Sequence, residues 1–247
     1  KAGARRVKVE WSYQPITKST YRYAKAAALA KVEDWEKAKL EHMAETLPAM
    51  IHIISDDPDG LKGINQKKVS EVGQKRYPIM KPIQDKMANK YQWCIAAVPG
   101  KKWAKKIFPE LRASTAMEKL WESILYTSRA DGDDPVEAWN QHNLDLRERC
   151  DYINSLGATE LRYHSSNGTD FKVGLIPEAM FLGGSENTIG GVEFNPNIPS
   201  EEVFTSPMRG KAEGTVVATR PLSYRGELIE NFSITFKDGK AVDVKAE

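Results

Sequence analysis

Two short apolar runs, AMIHIIS (49–55) and YQWCIAAVP (91–99), constrain the fold of this chain more than any other feature. Each is too short for a buried helix, and each ends in turn chemistry, DDPDG after the first and Pro99-Gly100 after the second. Both read as buried strands. The stretch between them predicts a helix over 66–87, and further helices are predicted at 101–107, 114–128 and 135–155. Upstream, RVKVEWS (6–12) alternates like a strand, and 17–46, rich in Ala, Lys, Glu and Leu, predicts one or two helices. Thr17 is a candidate N-cap there and Pro48 a stop. Strands alternating with helices imply parallel strands joined by helical crossovers, so the expected class is α/β with a parallel βαβ N-terminal domain.

Functional groups in such sheets collect at the carboxyl ends of the strands. Here those ends read WSYQP, SDDPDG and AVPGKKW. None carries GxGxxG, or GxxxxGK followed by Ser or Thr, which disfavours a nucleotide-cofactor enzyme.

After Leu156 the pattern changes. ATELRYHSS, TDFKVGL, GTVVATRPLSY, ELIENFSITF and KAVDVKA are strand-like and separated by turn residues. Asp238-Gly239 in FKDGKAVDV supplies the two positive-φ positions of a tight hairpin. Two regions are therefore expected, an α/β domain at 1–155 and a β-rich segment with antiparallel hairpins at 156–247.

Charge is uneven although the net charge is only +2: residues 61–112 hold 13 Lys/Arg against 3 Asp/Glu, and residues 131–160 hold 2 against 8. A basic stretch can mark a nucleic-acid face, and GKKWAKKIFP interleaves lysines with aromatics. The basic residues of 69–90, however, recur at helical spacing among apolar ones, as on a solvated helix face. Cys94 and Cys150 are isolated, which fits reduced, buried thiols rather than a disulfide framework. No apolar run approaches the length of a membrane span.

Catalytic hardware is sparse. His42, His52, His142 and His164 form no HxH, HxxxH or HExxH pattern. His42 and His142 are expected on solvated or half-buried helix faces, and His52 in a strand core. His164 adjoins Ser165, but neighbours on a strand face opposite ways and make a poor dyad. The glycine-rich stretch 164–207 is the least regular part of the chain. Gly183, Gly184, Gly190 and Gly191 suggest tight turns or close backbone approach. Glu201 and Glu202 lie in it between prolines, in NIPSEEVFTSP. On pattern alone they are open to two readings, solvated charge or one arm of a metal site.

The segments NGTDFKVGL, GGSENTIGGVEFNPNIPSEEVFTSP and GTVVATRPLSYRGELIENFSITFKDGKAVDVKAE closely resemble the aminopeptidase T / AmpS / PepS family of bacterial metallo-aminopeptidases. The N-terminal part, from AGARRVKVEWS onward, resembles the family's first domain more loosely but continuously. The resemblance implies a cytoplasmic, homodimeric exopeptidase acting on peptides, without nucleic-acid or membrane partners. It also implies a centre of two divalent cations, zinc or cobalt. The family's metal-binding glutamate directly before valine aligns with Glu202, with Glu201 as the fallback. The remaining family ligands (a second Glu, two His, an Asp and a Tyr) lie beyond the final hairpin. The resemblance thus implies a fragment lacking the C-terminal part and the extreme N-terminus, with no significant peptidase activity alone. No catalytic residue is assigned. The rival readings are a non-catalytic α/β binding module and a basic RNA-binding domain.

Overall fold

The computed structural model describes residues 3–247, so the first two residues of the 1–155 region lie outside the described residues. The alternation at 6–12 does not yield a strand. Among the described residues it has no sheet partner, and Val7, Val9 and Trp11 are exposed. Alternation alone does not make a strand where no neighbour takes its ladder hydrogen bonds. The helical stretch that follows divides into three: α1 (Gln14–Tyr23), α2 (Ala26–Ala30) and α3 (Asp34–Thr46). Helix α1 starts ahead of Thr17 because Pro15 occupies its first turn, where a fixed φ and a missing N–H cost nothing. Helix α3 opens with a Glu33/Glu36 capping box and stops at Leu47, left-handed just before Pro48, as the proline predicts.

The rest of this half follows the expected order. It comprises β1 (Met50–Ile54), α4 (Gln66–Asp85), β2 (Trp93–Ala97), α5 (Lys101–Ile107), α6 (Ala113–Thr127) and α7 (Pro135–Ser155). Asn65 caps α4 by accepting from the Lys68 N–H at 3.0 Å, and Asp134 caps α7 by accepting from Glu137 at 3.0 Å. Strands β1 and β2 pair in parallel, as the crossover pattern requires. Strand β1 is not buried, however: it forms one edge of its sheet, and Ile51 and Ile53 are 75% and 65% exposed.

The second half holds β3 (Glu160–His164), β4 (Asp170–Leu175), β5 (Leu182–Gly183), β6 (Glu186–Asn187), β7 (Glu193–Phe194) and β8 (Asn197–Ile198). It continues with β9 (Val203–Phe204), β10 (Pro207–Val217), β11 (Leu222–Tyr224), β12 (Glu227–Ile229), β13 (Ser233–Lys237) and β14 (Lys240–Lys245). An antiparallel sheet runs in the order β14-β13-β10-β4-β3. Its β13–β14 hairpin turns at Asp238 (φ 50°) and Gly239 (φ 71°), the residues expected for that turn. Tyr163, Phe171 and Phe236 pack in tilted pairs across it, with ring centroids 6.0 and 5.5 Å apart.

One pairing joins the halves. The two-residue strand β8 lies in the 156–247 segment, yet it pairs in parallel with β2, giving a sheet in the order β1-β2-β8. The described core sits beside this sheet. Ala104 and Ala116 let α5 and α6 approach closely, flanked by Leu120 and Ile124. Trp139, His142, Leu146 and Cys150 line one face of α7.

The helices of the first half are also tied by charge. Arg76 on α4 donates to Glu36 on α3 at 2.5 Å and to the Lys31 carbonyl at 2.6 Å, and both side chains of the pair are more than two-thirds buried. The Arg76 guanidinium holds the Glu36 carboxyl below the usual range. A carboxylate lowered in the folded state stabilises fully above its unfolded value, about 4.3, and that stability is lost as pH falls below it. Glu36→Gln should therefore cost about 1–2 kcal/mol near neutral pH. The gap to the native protein should narrow in acid, as read by thermal melts at stepped pH. A gap independent of pH would contradict this.

Candidate metal centre

The carboxyl ends of the three parallel strands bring together Ser55–Gly60 after β1, Val98–Trp103 after β2 and Pro199–Glu202 after β8. The chain is close-packed at this edge: a Cβ on Gly100 would lie 2.8 Å from the Ser55 carbonyl. Of the acidic residues of the first loop, Asp57 and Asp59 are partnered, while Asp56 is exposed and unpaired among the described residues. Asp57 pairs with Lys102 at 2.9 Å and accepts from the Asp59 N–H at 3.0 Å, and Asp59 pairs with Lys106 at 2.6 Å. Gln14 exchanges two hydrogen bonds with the Asp57 backbone. The Asp57 and Asp59 carboxylates hold the loop down and are not free to bind a cation.

Glu201 is partnered as well. Arg129 Nη1 donates to its Oε1 at 2.5 Å, and His142 Nε2 stands 3.8 Å from its Oε2. The same Nε2 lies 2.6 Å from the Ser200 carbonyl, which can only accept, so this nitrogen carries the proton. Arg129 lies over the Trp139 ring, 5.9 Å from its centroid. Trp139 meets the His142 ring edge-on at 5.4 Å and donates from Nε1 to the Ser128 carbonyl at 2.7 Å. The arginine beside it holds the Glu201 carboxyl below the ordinary glutamate range. At 60% exposure of the carboxylate, the pair orders the loop more than it stabilises the fold.

The backbone under Arg129 is unusual. The Arg129 N–H bonds the Tyr126 carbonyl at 3.1 Å and the Ala130 N–H bonds the Leu125 carbonyl at 2.8 Å, which is a Schellman end to α6. Glycine is the usual occupant of the left-handed position in that motif, but here Arg129 takes it at φ 53°. A non-glycine residue there costs roughly 1 kcal/mol.

Glu202 differs from its neighbours. It is exposed and, among the described residues, has no hydrogen-bond or ion-pair partner. Its backbone is tightly held. The β9 residue Val203 pairs with Gly183 of β5, and a Cβ on Gly183 would lie 2.7 Å from the Glu202 carbonyl. This is the close backbone approach expected of the glycine-rich stretch. Strand β5 is pinned in turn, since Asn154 of α7 exchanges hydrogen bonds with the Phe181 backbone at 2.7 and 3.1 Å. Two buried oxygens flanking the loop in sequence, Asn195 Oδ1 and Thr205 Oγ1, lack partners. A free carboxylate on a fixed backbone suits zinc or a similar cation as one ligand. It does not complete a site, because no group of three or more His, Cys, Asp or Glu could hold a metal among the described residues.

The other candidates are dispersed. His142 is buried, contrary to the solvated or half-buried placement expected, because α7 turns it inward onto Ser200. His52 is exposed rather than in a strand core, because β1 is an edge. His42 and His164 are exposed. Cys150 is buried and Cys94 half-buried, both free, and burial raises both thiols. Thr169 of the NGT turn accepts from the Val217 N–H at 3.0 Å, a turn-anchoring role. In the basic stretch 61–112, eight of the 13 cations are engaged. Lys75, Arg76, Lys81, Lys86, Lys102 and Lys106 pair with carboxylates, while Lys68 and Lys105 cap carbonyls. That arrangement favours a solvated, internally paired face over a phosphate-binding one. No helix is long and apolar enough to cross a membrane.

This architecture has close counterparts. Wild-type AmpT from Thermus thermophilus superposes with a TM-score of 0.81 at 31% identity, covering 96% of this chain and 58% of that one. Aminopeptidase 2 of Geobacillus stearothermophilus is 36% identical over 99% of this chain and 59% of its own length. Aminopeptidase AmpS of Bacillus subtilis is 35% identical over 99% of this chain and 60% of its own. The chain thus spans about three fifths of the length of these relatives. The profile described as Thermophilic metalloprotease (M29) matches residues 1–247, and the chain, an α/β protein, belongs to that family.

Proposed function

We propose that this chain is the part of a metal-dependent aminopeptidase that supplies Glu202 as one ligand of a centre of two divalent cations, zinc or cobalt. The supporting observation is the contrast between the two adjacent glutamates: Glu201 is ion-paired to Arg129, while Glu202 is exposed, has no side-chain partner among the described residues and sits on backbone held by the Gly183–Val203 pairing. The relatives named as aminopeptidases support peptides as substrates. Such a pair of cations, when bound, activates a water and stabilises the developing oxyanion. The residues of this chain orient the Glu202 carboxylate for that task. The other ligands come from protein outside the described residues, so the 247-residue chain alone has no significant peptidase activity.

The reading extends to a cytoplasmic homodimer. The described fold exposes 17686 Å², against about 11,000 Å² for a free-standing monomer of its mass. Such an excess, with Ile51 and Ile53 bare, supports further protein covering this surface.

In the full-length enzyme, Glu202→Ala should lower bound zinc and reduce hydrolysis of a leucine amide by at least the roughly 10- to 100-fold lost when a group that merely supports a ligand is removed. Elemental analysis and steady-state rates check this. Native zinc content and rate in Glu202→Ala, with both lost in Glu201→Ala, would move the ligand by one residue.

A further inference from the structure

Resting on the reading of Glu202 as a ligand, we infer that Arg129 and Glu201 form a clamp whose task is to position the Glu202 carboxylate for the metal rather than to stabilise the fold. Three observations carry it. Arg129 occupies the left-handed Schellman position of α6, where glycine would serve the backbone better, so the side chain accounts for its presence. That side chain reaches across the Trp139 ring to Glu201, 72 residues further along. Glu201 directly precedes Glu202, and the Ser200 carbonyl before it is held by His142. The loop is therefore fastened on its N-terminal side by α6 and α7 side chains, and on its C-terminal side by the Gly183–Val203 pairing.

Such fastening narrows where the Glu202 carboxylate can go. A unidentate or bidentate ligand needs its oxygens within a few tenths of an ångström of the cation. A loop free to wander must be ordered at each binding event, which weakens affinity. Groups that hold a ligand in place contribute about 10- to 100-fold to metal affinity.

The test uses the full-length protein, zinc as probe and a competing chromophoric chelator to read affinity. Arg129→Gly relieves the backbone while removing the clamp, and Glu201→Gln removes the opposite partner without changing size. Each should weaken zinc binding about 10- to 100-fold. The metal-free melting temperature should stay within about 2 °C, and amide exchange over 199–204 should rise. The double variant should be no weaker than either single one, because both break the same contact. Arg129→Lys should recover part of the affinity, since it keeps the charge but not the planar fork. If Glu202→Ala loses zinc while Arg129→Gly and Glu201→Gln bind it normally, the ligand reading stands and the clamp is overturned. A large fall in the metal-free melting temperature of Arg129→Gly also overturns it, since the role would then be structural. If Glu202→Ala binds zinc normally, the ligand reading fails and the clamp falls with it.

Discussion

The arrangement depends on one short parallel pairing. The Ile95 N–H donates to the Pro196 carbonyl at 2.8 Å, and Ile95 and Ala96 then register with Asn197 and Ile198. That contact carries the irregular stretch around β8, within the β-rich 156–247 segment, back onto the first sheet. It also decides where Pro199–Glu202 emerges, at the carboxyl edge beside the β1 and β2 loops. Without it the two glutamates would belong to a surface loop with no relation to the parallel sheet. With it they occupy the edge where parallel α/β sheets present their functional groups.

Electrostatics then sorts most of the acids at that edge, with Asp56 left exposed and unpaired among the described residues. Lysines from α5 neutralise Asp57 and Asp59, and an arginine from the end of α6 neutralises Glu201. An anion already satisfied by a cation has little left to offer a metal. The adjacent residue, tied through its backbone but not its side chain, keeps its charge available. Burial contributes as well: His142 and Trp139, inward on α7, give Arg129 and Ser200 fixed surfaces to rest on.

Much of this was legible in the sequence, and what was not has physical causes. Helices α4 to α7 and strands β1 and β2 follow from apolar spacing, caps and prolines, because these signals are local. The Asp238-Gly239 hairpin follows from the φ its turn demands. Strand 6–12 failed since alternation cannot supply a partner, and β1 is an edge because nothing in its own residues tells edge from centre. A two-residue strand such as β8 carries no periodicity at all. The choice between Glu201 and Glu202 came from family resemblance, and only the ion pair gives it a physical basis. Arg129 left one faint trace, an arginine where the helix ending at Thr127 should have had a glycine.

Anomalous diffraction from zinc-soaked crystals of the full-length protein, collected on both sides of the zinc absorption edge, tests the central claim most directly. A peak about 2.0–2.2 Å from a Glu202 carboxylate oxygen, with Glu201 still on Arg129, is the predicted result. A peak on Glu201, or on neither glutamate, would contradict the account.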